Sequence, residues 1–367
     1  MENKRLESLD AFRGFDMMWI MGFAVIVASV CRLFPGGDSC FVVEQLHHVD
    51  WDGLAFMDLV FPTFLFIAGI SFPFSFAKQQ SLGLGRGKMY WKVARRALLL
   101  VLLGIINNGF LSHLDFAGAR YCSVLGRIGI SWAFAAVLYM NLGSRSRAVV
   151  AALVLFVYFA VLKFIPAPDG AGAPTLSPEG NIAYWIDRQL LPGSFYMGSW
   201  DPEGLLGLLP ATVTAMLGMF TGEFVRSEKY SGGKKALLMV AAAAAMIAAG
   251  LVWSIWMPVN KSLWSSSFVL VAGGIALAGF ALFYWIIDVR GVRGPLTFFF
   301  KVIGMNSITI YMAMHFIPFG AIAHNFLDGL CGFCPSPIAG LLIFVGDFAL
   351  KWLFLLFLYR KRVFLKV

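Results

Sequence analysis

Two adjacent histidines, a Trp-Asp-Gly turn and a carboxylate at the head of an apolar run are the residues of this chain best suited to chemistry; the stretch 46–71 reads LHHVDWDGLAFMDLVFPTFLFIAGIS. An imidazole can take a proton from an amine or hydroxyl near neutral pH, or attack a thioester itself to give an acyl-imidazole, so His48 suits acyl transfer. A lone surface histidine is ordinarily a solvated side chain. What distinguishes His48 from His47 is the ordered set His48, Trp51, Gly53, Asp58 and Pro62, which puts an aromatic platform and a turn beside the ring. Asp58 is the second candidate catalytic group, and Trp51 and Asp52 are candidate substrate contacts. Seven residues of helix beyond Trp51 would carry Asp58 roughly 10 Å deeper, so His48 and Asp58 are not expected to touch.

The elements that must position these residues are membrane spans. With 59% hydrophobic and 13% charged residues among 367 and a mean hydropathy of +0.78, the chain has too much apolar surface for one soluble core. About twenty apolar residues cross a bilayer as a helix, and such windows centre near residues 11–31, 54–76, 97–114, 122–142, 147–165, 204–224, 236–257, 265–287, 296–323 and 338–358. The expectation is an all-α, polytopic bundle of about ten spans, forming a single domain over 1–367. A histidine at the membrane surface followed by a carboxylate inside the membrane fits proton handling at the bilayer boundary.

The formal charge of +9 does not point to nucleic acid, because the basic residues are spread over short connections. Lys4 and Arg5, then Lys78 to Arg96, Arg145 and Arg147, Arg226 to Lys235, Arg290 and Arg293, and finally Arg360 to Lys366 occupy every second connection. Acids such as Asp38, Glu44, Asp50, Asp52, Asp115, Asp169, Asp201, Glu203 and Asp328 mark the alternate ones. The positive side is the cytoplasm, which puts both termini in the cytoplasm and His48 outside. No cleavable signal peptide is expected. Cys31, Cys40, Cys122, Cys331 and Cys334 lie in or near the outward loops, where an oxidising compartment is permitted. No metal is expected at Cys331-x-x-Cys334, since no second pair accompanies it. The excursion 166–203 ends in NIAYWIDRQLLPGSFY, which reads as a short amphipathic helix lying on the membrane, either a cap over a substrate entrance or a plain connector.

Ionisable groups inside spans need partners. Asp10, Arg13 and Asp16 share a helix face, and Asp347 and Lys351 form an i, i+4 pair with the acid leading, a structural neutralisation. Asp58 and Arg127 have no local mate and are expected to pair with each other across helices, near Asn107, Asn108 and Tyr121.

The ordered segments SLDAFRG (8–14), HVDWDG followed by DLVFPTFLFIAGIS, RRALLLVLLG, SVLGRIG, DPEGLLGLLP, NKSLWSSSFVL and GMNSITIY resemble the heparan-α-glucosaminide N-acetyltransferase family of multi-pass membrane acyltransferases, especially its bacterial members. The resemblance implies transfer of an acetyl group from acetyl-CoA to an amino sugar or related saccharide on the far side of the membrane. It puts the active-site histidine on His48 and further pocket residues on Asp58, Arg127, Asn306 and Ser307. Many members carry an asparagine in the loop before the histidine; here the loop reads RLFPGGD with none, which implies either that Asn107 or Asn108 substitutes as the donor or that the acceptor differs. A Gram-negative inner membrane suits the resemblance better than a lysosome. Arg13, Lys92, Arg95 and Arg96 are candidates for the CoA phosphates, since Arg forks match phosphate oxygens, although each singly also reads as an ordinary positive-inside residue. Contact with membrane lipid follows from the class, and a homodimer is compatible with it. The rival class is a secondary transporter or flippase, but no inverted repeat is apparent, and Pro210 and Pro318 do not correspond between the halves. A non-catalytic scaffold accounts for the hydrophobicity but not for His48, Asp58, Arg127 and Asn306 together.

Overall fold

The computed structural model describes residues 6–365, so Lys4, Arg5 and Lys366 of the basic series lie outside the described residues. Every regular element among the described residues is a helix. The long ones are α1 (Glu7–Cys31), α2 (Phe56–Ser81), α3 (Arg86–Asn107), α4 (Val124–Asn141), α5 (Ser144–Phe164), the shorter α6 (Ile182–Leu190), α7 (Leu208–Arg226), α8 (Gly232–Trp253) and α9 (Ser266–Val289). The chain closes with α10 (Pro295–Met305), α11 (Ser307–Phe316), α12 (Phe319–Cys331) and α13 (Ser336–Arg360).

Among the described residues, eight helices are long and apolar enough to cross a membrane, or nine if α10 and α11, bent by 66°, make one broken span. The protein is multi-pass and all-helical, with fewer clear spans than the ten expected. Two of the expected windows differ for physical reasons. In α3 the apolar run begins only after Lys92, Arg95 and Arg96, leaving too little uncharged length. The window 296–323 is broken at Asn306 and again at Pro318, which lacks an N–H to continue a helix.

Burial identifies the centre. The apolar windows of α2 and α7 are 61% and 67% buried, against 11% for α13. These two helices approach closely because glycines line the seam: a Cβ at Gly69 would strike the Ala215 carbonyl, and Cβ atoms at Gly218 and Gly222 would strike those of Phe66 and Ile70. Small residues at helix interfaces in lipid replace the missing hydrophobic drive with close van der Waals contact. Around this pair, α3 packs on α4, α8 on α9, α1 on α10 and α12 on α13.

Two of the charge pairings that the spacing suggests are present, whereas Asp16 Oδ2 is buried without a hydrogen-bond partner. Asp347 and Lys351 lie 2.6 Å apart, and Lys351 also donates to the Met21 carbonyl at 2.9 Å, beside the kink where Gly22 takes φ 121°. Arg13 pairs with Asp10 at 3.7 Å and donates to Ser71 Oγ at 3.1 Å.

The connections gather at two ends. At one end, Gly53 N–H donates to the Val259 carbonyl at 2.8 Å, Trp51 Nε1 to Leu176 at 3.0 Å, and Arg120 forks onto Asp201 at 2.7 and 2.8 Å while also meeting Glu203. Five connections are thereby tied to one another in pairs. At the other end, Arg86 donates to the Met140 carbonyl at 2.8 Å and Glu7 bridges Arg293 and Lys301 at 3.0 and 2.9 Å. The helix expected within 166–203 is α6, whose buried side carries Ile182, Ala183, Tyr184 and Asp187.

Candidate active site

His48 follows the short helix Phe41–Gln45, and Gln45 Oε1 accepts from Phe56 N–H at 3.1 Å, closing the intervening loop on itself. Gly53 makes the closure possible at φ 122°, a backbone region that side chains with a Cβ avoid. The loop therefore returns His48 to the mouth of α2. Asp58 lies in the first turn of that helix, where its Oδ2 accepts from Ala55 N–H at 3.0 Å and Val49 N–H at 3.4 Å. A carboxylate at a helix N-terminus satisfies backbone donors that have no partner in the helix.

The other oxygen, Oδ1, meets His48 Nδ1 at 2.7 Å. This overturns the expected 10 Å separation: residues 46–55 are turns and bends rather than helix, so Asp58 lies at the rim beside the histidine instead of seven helical residues below it. Asp58 is 1% exposed and His48 56%, so a buried acid orients a ring that remains open to reactants.

The third member is Lys261, from the turn between α8 and α9. Its Nζ lies 3.3 Å from Asp58 Oδ1 and 3.1 and 3.4 Å from Nδ1 and Nε2 of His48. With Asp58 accepting the Nδ1 proton, Nε2 keeps the lone pair of the ring. Burial lowers the Lys261 pKa from the ordinary lysine value, while the Asp58 carboxylate works against that shift. The turn is rigid: Asn260 is fully buried, accepts from Leu263 N–H at 2.8 Å, takes Ser265 Oγ on its own N–H at 3.0 Å, and donates to Asp52 at 3.1 Å. No local motif marks Lys261; its signal in the sequence is a lone cation in a connection that the charge alternation puts on the His48 side.

Asp58 and Arg127 do not form the cross-span pair expected of them. Asp58 is taken by His48 and Lys261, whereas Arg127 donates to the Gly204 carbonyl at 3.2 Å and lies over the Trp264 ring at 5.2 Å. Trp51 lies edge-on to Trp200 at 5.4 Å and to Tyr184 at 6.3 Å. Asp52 is engaged with Asn260. Asn107 reaches His315 Nε2 at 3.4 Å, and Asn108 is spent on the carbonyls of Arg120 and Cys122 at 3.0 and 2.7 Å. Asn306 and Ser307 are not brought to His48. They occupy the α10–α11 break, where Asn306 donates to the Val363 carbonyl at 3.2 Å beyond the end of α13. Lys92 and Arg95 are exposed near the opposite end, while Arg96 lies over the Trp132 ring at 4.2 Å and within charge-interaction range of Arg13.

Fold and site thus define a multi-pass membrane protein with a histidine, carboxylate and lysine cluster at one end of its bundle. No family model matches the chain. It is 28% identical to human heparan-alpha-glucosaminide N-acetyltransferase over 84% of this chain and 52% of the relative, and 28% identical to the mouse protein of the same name over 84% and 53%. The relationship is one of family level, and the chain spans about half the length of the curated relatives it matches.

Proposed function

We propose that the chain is a single-domain membrane acyltransferase that moves an acetyl group from acetyl-CoA to an amino sugar or related saccharide. The observation that carries this reading is the 2.7 Å contact between His48 Nδ1 and buried Asp58. A carboxylate on Nδ1 fixes the tautomer that leaves Nε2 basic. As the acceptor amine attacks the thioester carbonyl, Nε2 takes the amine proton. The C–S bond then breaks and the proton passes from His48 to the departing CoA sulfur. Attack by Nε2 itself, with an acyl-imidazole between the two half-reactions, uses the same geometry. The Lys261 ammonium, 3.4 Å from Nε2, is placed to donate to the oxyanion that develops on the carbonyl. Trp51 offers an aromatic face for the sugar.

In this reading α3 also crosses the membrane, giving ten spans with cytoplasmic termini in a bacterial inner membrane, and the His48 end faces out. The CoA phosphates sit at the opposite end on Arg13, Lys92, Arg95 and Arg96, with the pantetheine arm reaching through the bundle. The test is acetyl transfer from labelled acetyl-CoA to glucosamine by purified protein in proteoliposomes. Label on the sugar supports the reading; accumulation of unmodified sugar inside the vesicles would instead make the protein a transporter. A tag in 166–178 that proved cytoplasmic would reverse the proposed orientation.

A further inference from the structure

The segment 201–207, DPEGLLG, takes no part in the proposed reaction, yet it is shaped around two buried charges. A Cβ at Gly204 would collide with the Asp187 carboxylate, and one at Gly207 would lie 2.7 Å from Arg127 Nη2. Arg127 also donates to the Gly204 carbonyl at 3.2 Å, and Asp187 Oδ1 accepts from Leu205 N–H at 2.8 Å. The two opposite charges are therefore tethered to one stretch of backbone from α4 and α6, but among the described ion pairs there is none between them.

Between them is a small cavity, also walled by Tyr184, Tyr158 and Ser262, with room for the centre of a water molecule over about 10 Å³. Three atoms of its walls are buried and have no partner in the protein: Arg127 Nε, Asp187 Oδ2 and Tyr184 Oη. Their residues are 3%, 1% and 3% exposed. Leaving such atoms unpaired costs roughly 1–3 kcal/mol each. A cavity of about this size holds one water, which needs two to four polar partners. A cation there would face the guanidinium and an anion the carboxylate, so the occupant matching both walls is a neutral dipole.

We propose that Arg127, Asp187 and Tyr184 bind one internal water, which accepts from Arg127 Nε–H, donates to Asp187 Oδ2 and completes its bonding at Tyr184 Oη. The water converts two separated charges into a bridged pair and ties α4 to α6 beside the turn that carries Lys261, whose Ser262 and Leu263 form part of the same wall. The site stands independently of acetyl transfer.

Radiolytic labelling tests this directly. The protein in lipid nanodiscs is mixed rapidly into ¹⁸O-water and pulsed with X-rays, and the oxygen isotope added to each side chain is read by mass spectrometry. Tyr184 is expected to be oxidised despite its burial, with ¹⁶O at short delays and ¹⁸O at long ones, while Phe280, fully buried and outside the cavity walls, stays unlabelled. A Tyr184 as silent as Phe280 would overturn the proposal. Asp187→Leu, which fills the space and removes the acceptor, should abolish the Tyr184 label, and its persistence in that variant would take Asp187 out of the site. Should Asp187→Leu fail to fold, the wild-type labelling decides alone.

Discussion

Two groups of charges in the bundle are used in opposite ways. Around His48 and Arg120 the ionised groups are desolvated and answered by specific partners: Asp58 by His48 and Lys261, and Asp201 and Glu203 by Arg120. In the second group Lys92 and Arg95 are exposed, and even Glu7, bridging two cations, stays 26% exposed in its side chain. Buried pairs of this kind carry a desolvation penalty and are a poor way to gain stability, but they fix geometry. Exposed ones cost little and specify little. The first group is thus built for orientation and the second for sign.

Substitutions can break or sharpen that contrast. His48→Ala should reduce acetyl transfer about 10²–10⁴-fold with folding intact, whereas His47→Ala should retain most activity; turnover by purified variants decides, and equal tolerance of both would remove the histidine from catalysis. Next in size is coupling within the cluster. A double-mutant cycle on turnover and stability with Asp58→Asn and Lys261→Met should give an interaction energy of about 1–3 kcal/mol, whereas Asp58→Asn with Arg127→Gln should be additive within about 0.5 kcal/mol. Strong coupling in the second cycle would restore the cross-span pair that the structure lacks.

Gly204→Ala should destabilise the protein by about 1–3 kcal/mol through overpacking, and Asp187→Ala should recover part of that loss, as read by thermal unfolding in detergent. A smaller effect concerns pH. Burial pushes the Asp187 pKa up to about 6, above its unfolded value of about 3.9. The folded state therefore holds the proton more tightly, and this contribution to stability is full below about pH 4 and lost as pH rises through about 6. Asp187→Asn should flatten that part of the melting profile. The smallest change belongs to the second group: Arg95→Gln should raise the KM for acetyl-CoA less than about fivefold, the scale of an exposed contact worth under about 1 kcal/mol, with kcat unchanged.

Hydropathy and loop charge were enough to read a multi-pass helical protein, because a bilayer imposes length and apolarity on each span separately and both are local properties. The pairing of Asp347 with Lys351 was legible for the same reason, since residues four apart on a helix must be neighbours. His48 was singled out as a candidate from its own short motif. The partners of His48 were not legible. Periodicity continued the α2 helix backwards through 52–55 and so sank Asp58 away from the ring, when a glycine at positive φ and a hydrogen bond to Val259 fold that segment over instead. Lys261 is 213 residues from His48, and Arg120 is 81 residues from Asp201; no local rule relates such positions. The sequence by itself determined that the chain is a multi-pass helical membrane protein and which residues could carry a proton. Only the tertiary structure decided which of them meet, because contact between loops depends on how the helices beneath them pack, and that packing is set by glycine seams whose depth shows only once two helices face each other.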